Sequence, residues 1–370
     1  MTVLITGGLG FVGSHLSRAL VGQGRGVRVL DAATTQVHGA QPHHTDSEGI
    51  EWVSADIADR RAVDAALEGV TAVVHLAAEV GVGQSMYEIR RYVRTNSLGT
   101  ATLLEALLAR RGQVQRLVVA SSNTVYGEGV TRCPQCGLVN PGLRPAAQLA
   151  RRDWELRCPQ CAAPCEPVPT PESRPFAPTS VYAISKQDTE QLALCVGRAY
   201  DIPTVVLRFF NIYGPGQSLQ NPYAGIAKNF AVRLLHDLPP LIYEDGRQTR
   251  DLVHVKDVVQ GICLALESDR VAYEVFNLGT GRATQIAELA RLMARALGKP
   301  IEPEITEQFR AGDIRHCIAD ISRACDLLGY RPTVSLEAGI PELADWLRGQ
   351  DTTDLTTRAQ DELSAQQLVR

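Results

Sequence analysis

No stretch of this 370-residue chain is apolar for long enough to span a bilayer. Aromatic residues are scarce, at 5%, and no basic block stands out against a net charge of −4. Those absences argue against a membrane-spanning protein and against a nucleic-acid or membrane-surface partner. No internal repeat is present, so no array of like units is expected. Almost nothing precedes the apolar run Val3-Leu4-Ile5, which leaves no room for a signal peptide and makes the cytoplasm the default location. In that compartment nine cysteines read as core thiols or metal ligands rather than disulfides. What remains is the composition of a soluble globular protein, long enough for one large α/β domain or two smaller ones.

The stretch Thr6-Gly7-Gly8-Leu9-Gly10-Phe11-Val12-Gly13 sets the plan. It lies between a short buried strand, Val3–Ile5, and an amphipathic helix, Ser14–Val21. Strand, glycine turn and helix is the context of a dinucleotide-binding loop. Glycines let backbone N–H groups approach a pyrophosphate, and the helix N-terminus adds partial positive charge. The loop reads as G-x-G-x-x-G from Gly8 or as G-x-x-G-x-x-G from Gly7. A second strand, Val27–Asp31, ends in an acid placed to accept bonds from ribose hydroxyls, which favours NAD over NADP.

Further along, Trp52–Ile57 reads as the third strand, with Asp56 and Ile57 facing an adenine. A fourth strand, Ala72–Ala78, ends in small residues (Leu76, Ala77, Ala78) that let a cofactor lie against backbone. Asn96 lies near the start of a long helix, Thr95–Arg110. The fifth strand, Gln115–Ser122, turns abruptly polar at Ser121. Gln36–Ser47, with His38, His43, His44 and Asp46, has no common ligand spacing and reads as a solvated loop.

Cys133-Pro-Gln-Cys136 and Cys158-Pro-Gln-Cys161 are separated by 21 residues, the pattern of a four-thiolate structural zinc site. The intervening residues carry little core, so a metal would supply the folding energy of this insert, 131–170. Cys165 is either an alternative ligand or a bystander.

Ser180–Lys186 then places Tyr182 and Lys186 four apart on one helix face. An ammonium beside a phenol favours phenolate, lowering its pKa from about 10 towards working pH. Such a tyrosine serves as a general base. Val205–Phe210 is the sixth strand, leading to Asn211. Beyond it lie helices at Gly225–Leu235, Ile286–Leu297 and Ile321–Leu328, and a polar segment, Asp351–Arg370, that predicts a frayed, flexible tail.

With these motifs in this order, joined by Arg208-Phe-Phe-Asn211 and Arg250-Asp251, residues 1–350 outside the insert resemble the extended short-chain dehydrogenase/reductase family, within it the nucleotide-sugar epimerases and dehydratases. The resemblance implies a doubly wound parallel α/β sheet (a Rossmann domain, 1–186, interrupted by a zinc-ribbon-like insert). It also implies a smaller C-terminal substrate part over 187–350, from which Val205–Phe210 and part of 250–280 return to the first domain. NAD would contact Gly7, Gly10, Phe11, Val12, Gly13, Asp31, Asp56, Ile57, Leu76, Ala77, Ala78, Asn96, Tyr182 and Lys186. Catalysis would fall to Ser122, Tyr182 and Lys186. Thr124, Asn211, Arg250 and Arg310 would hold the nucleotide-sugar, the arginines through its diphosphate.

Family dehydratases carry Asp and Glu after the catalytic hydroxyl; here Asn123 and Thr124 stand there, which leaves 4-epimerisation as the simplest chemistry. The insert, with Val80–Met86 and Gln217–Gly225, is similar to a subgroup of dTDP-L-rhamnose 4-epimerases, so a dTDP-6-deoxyhexose is expected. UDP-glucose, UDP-glucuronate and UDP-N-acetylglucosamine stay open, since Cys317 aligns with a position that limits bulk at the sugar in UDP-galactose epimerases and, being small, does not exclude an N-acetylated hexose. The resemblance also implies a homodimer through the Thr95–Arg110 and Tyr182–Tyr200 helices. A non-catalytic NAD-bound scaffold or redox sensor is the reading from another class, and intact Ser122, Tyr182 and Lys186 oppose it.

Overall fold

Seven strands form one parallel sheet in the computed structural model, which describes residues 2–39 and 49–370. They are β1 (Thr2–Thr6), β2 (Gly26–Asp31), β3 (Ile50–Ser54), β4 (Ala72–His75), β5 (Arg116–Ser122), β6 (Thr204–Phe209) and β7 (Glu274–Leu278). Their order is β7-β6-β5-β4-β1-β2-β3. The direction of winding reverses between β1 and β4, so a crevice opens beyond their carboxyl ends. Val3, Leu4 and Ile5 are fully buried, because apolar layers cover both faces of the sheet. On one face lie Leu16 and Leu20 of the helix Phe11–Gly22; on the other lie Leu103 and Leu107 of Gly99–Leu108. A third apolar cluster joins the helices Ile226–Leu235, Ile286–Leu297 and Leu336–Arg348 into the C-terminal part.

Several elements differ from the sequence reading. The third strand ends at Ser54; Ala55, Asp56 and Ile57 turn out of the sheet and become wall of the crevice. The helix expected over Thr95–Arg110 is broken into Ile89–Tyr92, a wide π turn at Val93–Leu98 and the helix Gly99–Leu108. Such turns insert a residue into the ladder and recur at functional sites, and this one carries Asn96. Ile321–Leu328 contracts to a π turn at Ala324–Leu328. Of the histidine-containing loop, Thr35–His38 is a short helix, whereas His43, His44 and Asp46 lie outside the described residues.

The frayed tail is corrected as well. Thr356–Ala365 is a helix that buries Ala359 and Leu363, and Leu368–Arg370 runs antiparallel to Phe309–Ala311. Beside these two apolar residues, the polar segment is held by backbone pairing, by tyrosine hydroxyls on Glu362 and by an ion pair of Asp354 with Arg233.

The insert is a small antiparallel sheet of Thr131–Cys133 flanked by Gly137–Val139 and Glu166–Pro167. No described helix is long and apolar enough to cross a membrane.

Candidate active site

A cavity of about 1210 Å³ occupies the crevice. That exceeds the roughly 300–1,000 Å³ of a single small-ligand site, so two ligands fit end to end. At one end lie Gly7, Gly10, Phe11, Val12, Gly13, Asp31, Asp56, Ile57, Leu76, Ala77 and Ala78. Gly7 has φ +72°, and a Cβ there would sit 2.7 Å from the Ala77 nitrogen. At Gly13 a Cβ would meet the Gly7 carbonyl oxygen at 2.4 Å. Backbone therefore approaches the cavity as closely as it can, and the free N–H groups of the helix Phe11–Gly22 open onto it.

Asp31 is aimed by its neighbours. Its carboxylate accepts N–H bonds from Leu9 at 3.0 Å and Ala33 at 2.9 Å, and His38 Nε2 lies 3.8 Å away. His38 is a cavity residue rather than part of a solvated loop.

Ser122, Thr124, Tyr182 and Lys186 meet midway along the cavity. Thr124 donates to Ser122 Oγ from its hydroxyl at 3.0 Å and from its amide at 3.2 Å. The Tyr182 backbone N–H donates to Ser85 Oγ at 3.0 Å, and Tyr92 meets the Tyr182 ring edge-on. Burial pushes the Tyr182 phenol up, and a hydrogen bond with Ser122 works against that. Burial pushes the Lys186 ammonium down to about 8, with Glu190 opposing. Burial thus disfavours both the phenolate and the ammonium, against the expectation that Lys186 brings the phenol down.

The helix bearing them, Val181–Ala199, is fixed to β6 by Arg208, which donates to Glu190 at 2.5 and 3.0 Å and to the Tyr126 hydroxyl at 2.7 Å. Asn96 lies behind the wall rather than in it. It bonds Ser185 Oγ, the Glu79 carbonyl oxygen and the Glu79 N–H, and so joins the Glu79 loop to the catalytic helix.

At the far end Asn211 lines the cavity, together with Glu79, Tyr87, Gln217, Asn221 and Tyr223. Ser121 Oγ, Asn211 Oδ1 and Gln217 Oε1 are buried cavity atoms with no hydrogen-bond partner among the described residues. The glycine cradle and the oriented Asp31 carboxylate fit a dinucleotide such as NAD.

Arg250 and Arg310 do not line this cavity. Arg250 donates to the carbonyls of Thr249, Ile314 and Arg315, and Arg310 pairs with Asp313 and stacks on Tyr243. Glu79, Tyr87 and Tyr223 carried no motif in the sequence. The run 217–225 stood out in the sequence only through its resemblance to a subgroup, which did not mark Tyr223 as part of a wall.

In the insert, the sulfurs of Cys133, Cys136, Cys158 and Cys161 lie within 4.8 Å of one another, with Cys133 and Cys161 3.5 Å apart. Tetrahedral Zn–S bonds of about 2.3 Å would place the sulfurs about 3.7 Å apart, so the set fits that ion. Amides of Gln135 and Cys136 donate to Cys133 Sγ, and that of Gln160 donates to Cys158 Sγ, as thiolates require. Cys165 is outside the cluster; it is buried, bonds the Ala163 carbonyl and packs in the insert's core with Val139.

The model of the NAD dependent epimerase/dehydratase family matches residues 3–141 and 156–279, with its gap inside the insert. A dTDP-L-rhamnose 4-epimerase from Burkholderia thailandensis is 37% identical over 93% of this chain and 94% of its own. The structure of a UDP-glucose 4-epimerase from Thermotoga maritima, with UDP-glucose, superposes with a TM-score of 0.77 at 31% identity, covering 94% of this chain and 99% of that one. A UDP-glucuronic acid 4-epimerase from Bacillus cereus, in complex with UDP-glucuronic acid and NAD, gives 0.77 at 26% identity over 94% and 99%. The glycine cradle, the parallel sheet and these likenesses agree: the chain belongs to the NAD-dependent epimerase/dehydratase family of extended short-chain dehydrogenases/reductases.

Proposed function

We propose that this enzyme is an NAD-dependent nucleoside-diphosphate-sugar 4-epimerase acting on a dTDP-6-deoxyhexose such as dTDP-L-rhamnose. The observation that carries the chemistry is that Ser122, Thr124, Tyr182 and Lys186 line the same cavity as the glycine cradle, with Thr124 and Tyr182 both bonded to Ser122. Asn123 and Thr124 follow the serine, and neither acts as an acid near neutral pH. That favours epimerisation over loss of water. The 37% identity to a dTDP-L-rhamnose 4-epimerase supports the sugar, and the UDP-sugar relatives define the competing substrates.

Bound NAD would supply a reversible hydride acceptor, and a hydride taken and returned leaves the reaction with no net redox change. Tyr182 removes the C4 hydroxyl proton as a general base. Lys186 stabilises the phenolate, and Ser122, held by Thr124, bonds the C4 oxygen. The keto sugar turns about its diphosphate, and Tyr182 returns the proton once C4 has been reduced from its other face. Asn211 holds the diphosphate.

Zinc held by Cys133, Cys136, Cys158 and Cys161 has a structural role, since four thiolates leave no open position. Exposed Leu98, Ile184 and Leu192, on the helical faces near Asn96 and Tyr182, support a homodimer through them.

The test is a panel of dTDP-L-rhamnose, UDP-glucose, UDP-glucuronate and UDP-N-acetylglucosamine incubated with purified enzyme, with C4 configuration read from proton NMR couplings. Inversion of dTDP-L-rhamnose without net NADH is expected. Accumulation of a 4-keto product would instead make the enzyme a dehydratase.

A further inference from the structure

The segment 351–370 touches two loops that line the cavity, 79–88 and 217–225, and a third, 309–313, outside that lining. Asp354 pairs with Arg233 at 2.9 Å, both side chains largely buried, and this fixes the point of entry. The helix Thr356–Ala365 then lays Leu363 over Gly83, where a Cβ would lie 2.8 Å from a Leu363 methyl carbon. Only a residue without a side chain lets the helix settle there. At the residue before it, the Glu362 carboxylate accepts from the hydroxyls of Tyr87, at 3.3 Å, and Tyr223. Those hydroxyls are themselves 2.8 Å apart.

Tyr87 and Tyr223 both line the cavity, yet they come from different loops, 79–88 and 217–225. One carboxylate therefore ties two walls of the cavity together. Past the helix the chain turns at Gln367, with φ +57°, and pairs with the strand edge at Phe309–Ala311. Phe309 N donates to Arg370 O at 2.9 Å, and Ala311 N donates to Leu368 O at 2.8 Å. The third loop bound in this way is the one that carries Arg310. Leu363 and Leu368 face Arg310, Asp313, Val82, Gly83 and Met86 across a narrow cleft of about 10 Å³ at the seam.

We infer that segment 351–370 is a latch on the nucleotide-sugar end of the cavity, with Glu362 as its positioning residue. The inference rests on the reading of that end as the nucleotide-sugar's. The latch holds the loops 79–88, 217–225 and 309–313 in one arrangement before substrate arrives. A pre-organised wall raises affinity because binding no longer has to order it. The glycine cradle, Asp31 and the Tyr182–Lys186 helix receive no hydrogen bond or ion pair from the segment, so NAD retention and the chemical step are independent of it.

The experiment compares the full chain with E362Q, Y223F and a chain ending at Gln350, each checked for folding by circular dichroism. Amide hydrogen exchange is followed in the three loops, and dTDP and UDP are titrated calorimetrically. In E362Q, exchange in 79–88 and 217–225 should speed up at least tenfold. Nucleoside diphosphate binding should weaken by about tenfold, KM should rise with it, and kcat and NAD content should stay within twofold. The shortened chain should show a larger loss of the same kind. Unchanged loop exchange in both E362Q and Y223F overturns the latch, even if the shortened chain does not fold. Faster exchange in a protein whose full chain binds neither dTDP nor UDP keeps the latch and overturns the proposed substrate class.

Discussion

Arg144, carried by the cysteine-rich insert, makes a two-pronged pair with Glu244 of the C-terminal part, at 3.0 and 2.8 Å, and both side chains are buried. It also donates to the carbonyls of Trp154 and Asp313. Beside it Arg315, fully buried, donates to Glu155 of the insert and to Glu244 and Asp245. The insert thus completes a charge lattice inside the part of the molecule that supports Arg250 and Arg310. Removing one member leaves the others uncompensated, which costs about 3–5 kcal/mol, whereas an apolar residue of similar volume costs less. Arg144→Ala should therefore destabilise the protein by about that amount in urea melts, with Arg144→Met in between. Equal melts for wild type and Arg144→Ala would show that the lattice contributes nothing.

The same insert makes a prediction about metal. Elemental analysis should find one zinc per chain, lost in Cys136→Ser together with a fall in melting temperature. Cys165→Ala should keep its zinc, because Cys165 fills the insert's core rather than joining the four sulfurs. Full zinc in Cys136→Ser would mean that the thiol cluster is not the site.

Tyr182→Phe removes the proposed proton carrier and leaves the ring that packs on Tyr92. Loss of a general base costs about 10²–10⁴-fold. Turnover should fall by that factor while NAD content, measured after denaturation, stays level. A variant that still turned over at more than a tenth of the normal rate would transfer the base role to another group.

How much of this was legible in the sequence depends on how local each feature is. The glycine loop and the Tyr182–Lys186 pair each lie within eight residues of chain, so their spacing, together with the order of the other motifs, marked them as candidates. The boundaries of Ile286–Leu297 were readable too, since its apolar residues keep the helical period and Gly298 ends it. Tyr87, Tyr223 and Glu362 are distant in sequence, and nothing local marks them as a set. The latch helix escaped notice because Ala359 and Leu363 are its only buried residues. Ala55 and Ile57 prolonged the apolar character of Trp52 and Val53, which hid the point where the third strand leaves the sheet.

Acid stability should depend on His75. Both of its ring nitrogens are engaged, by Thr6 at 2.8 Å and Thr100 at 3.0 Å, and burial pushes the imidazole down to about 3. The folded state therefore keeps it neutral, while the unfolded chain takes up a proton below about 6.5. Its contribution is complete above that pH and is lost progressively as pH falls towards 3, by up to about 1.4 kcal/mol per unit. His75→Gln should flatten the dependence of urea midpoint on pH between these limits. An unchanged slope would assign acid sensitivity to other groups.

Asp31 should decide between NAD and NADP. Its carboxylate is fixed by the Leu9 and Ala33 amides and lines the cavity, so it cannot swing aside from an arriving ribose. Hydrogen bonds from uncharged hydroxyls to a carboxylate contribute about 1.5–3 kcal/mol, or roughly ten- to a hundredfold in affinity. A 2′-phosphate in the same place meets like charge at short range instead. Asp31→Ala should consequently weaken NAD by that factor and strengthen NADP, narrowing the preference from both sides. Titration of cofactor-free protein by intrinsic fluorescence separates the two effects. If NADP binding does not improve when the carboxylate is removed, the discrimination lies with another residue at the mouth, of which His38 is the nearest, 3.8 Å from Asp31.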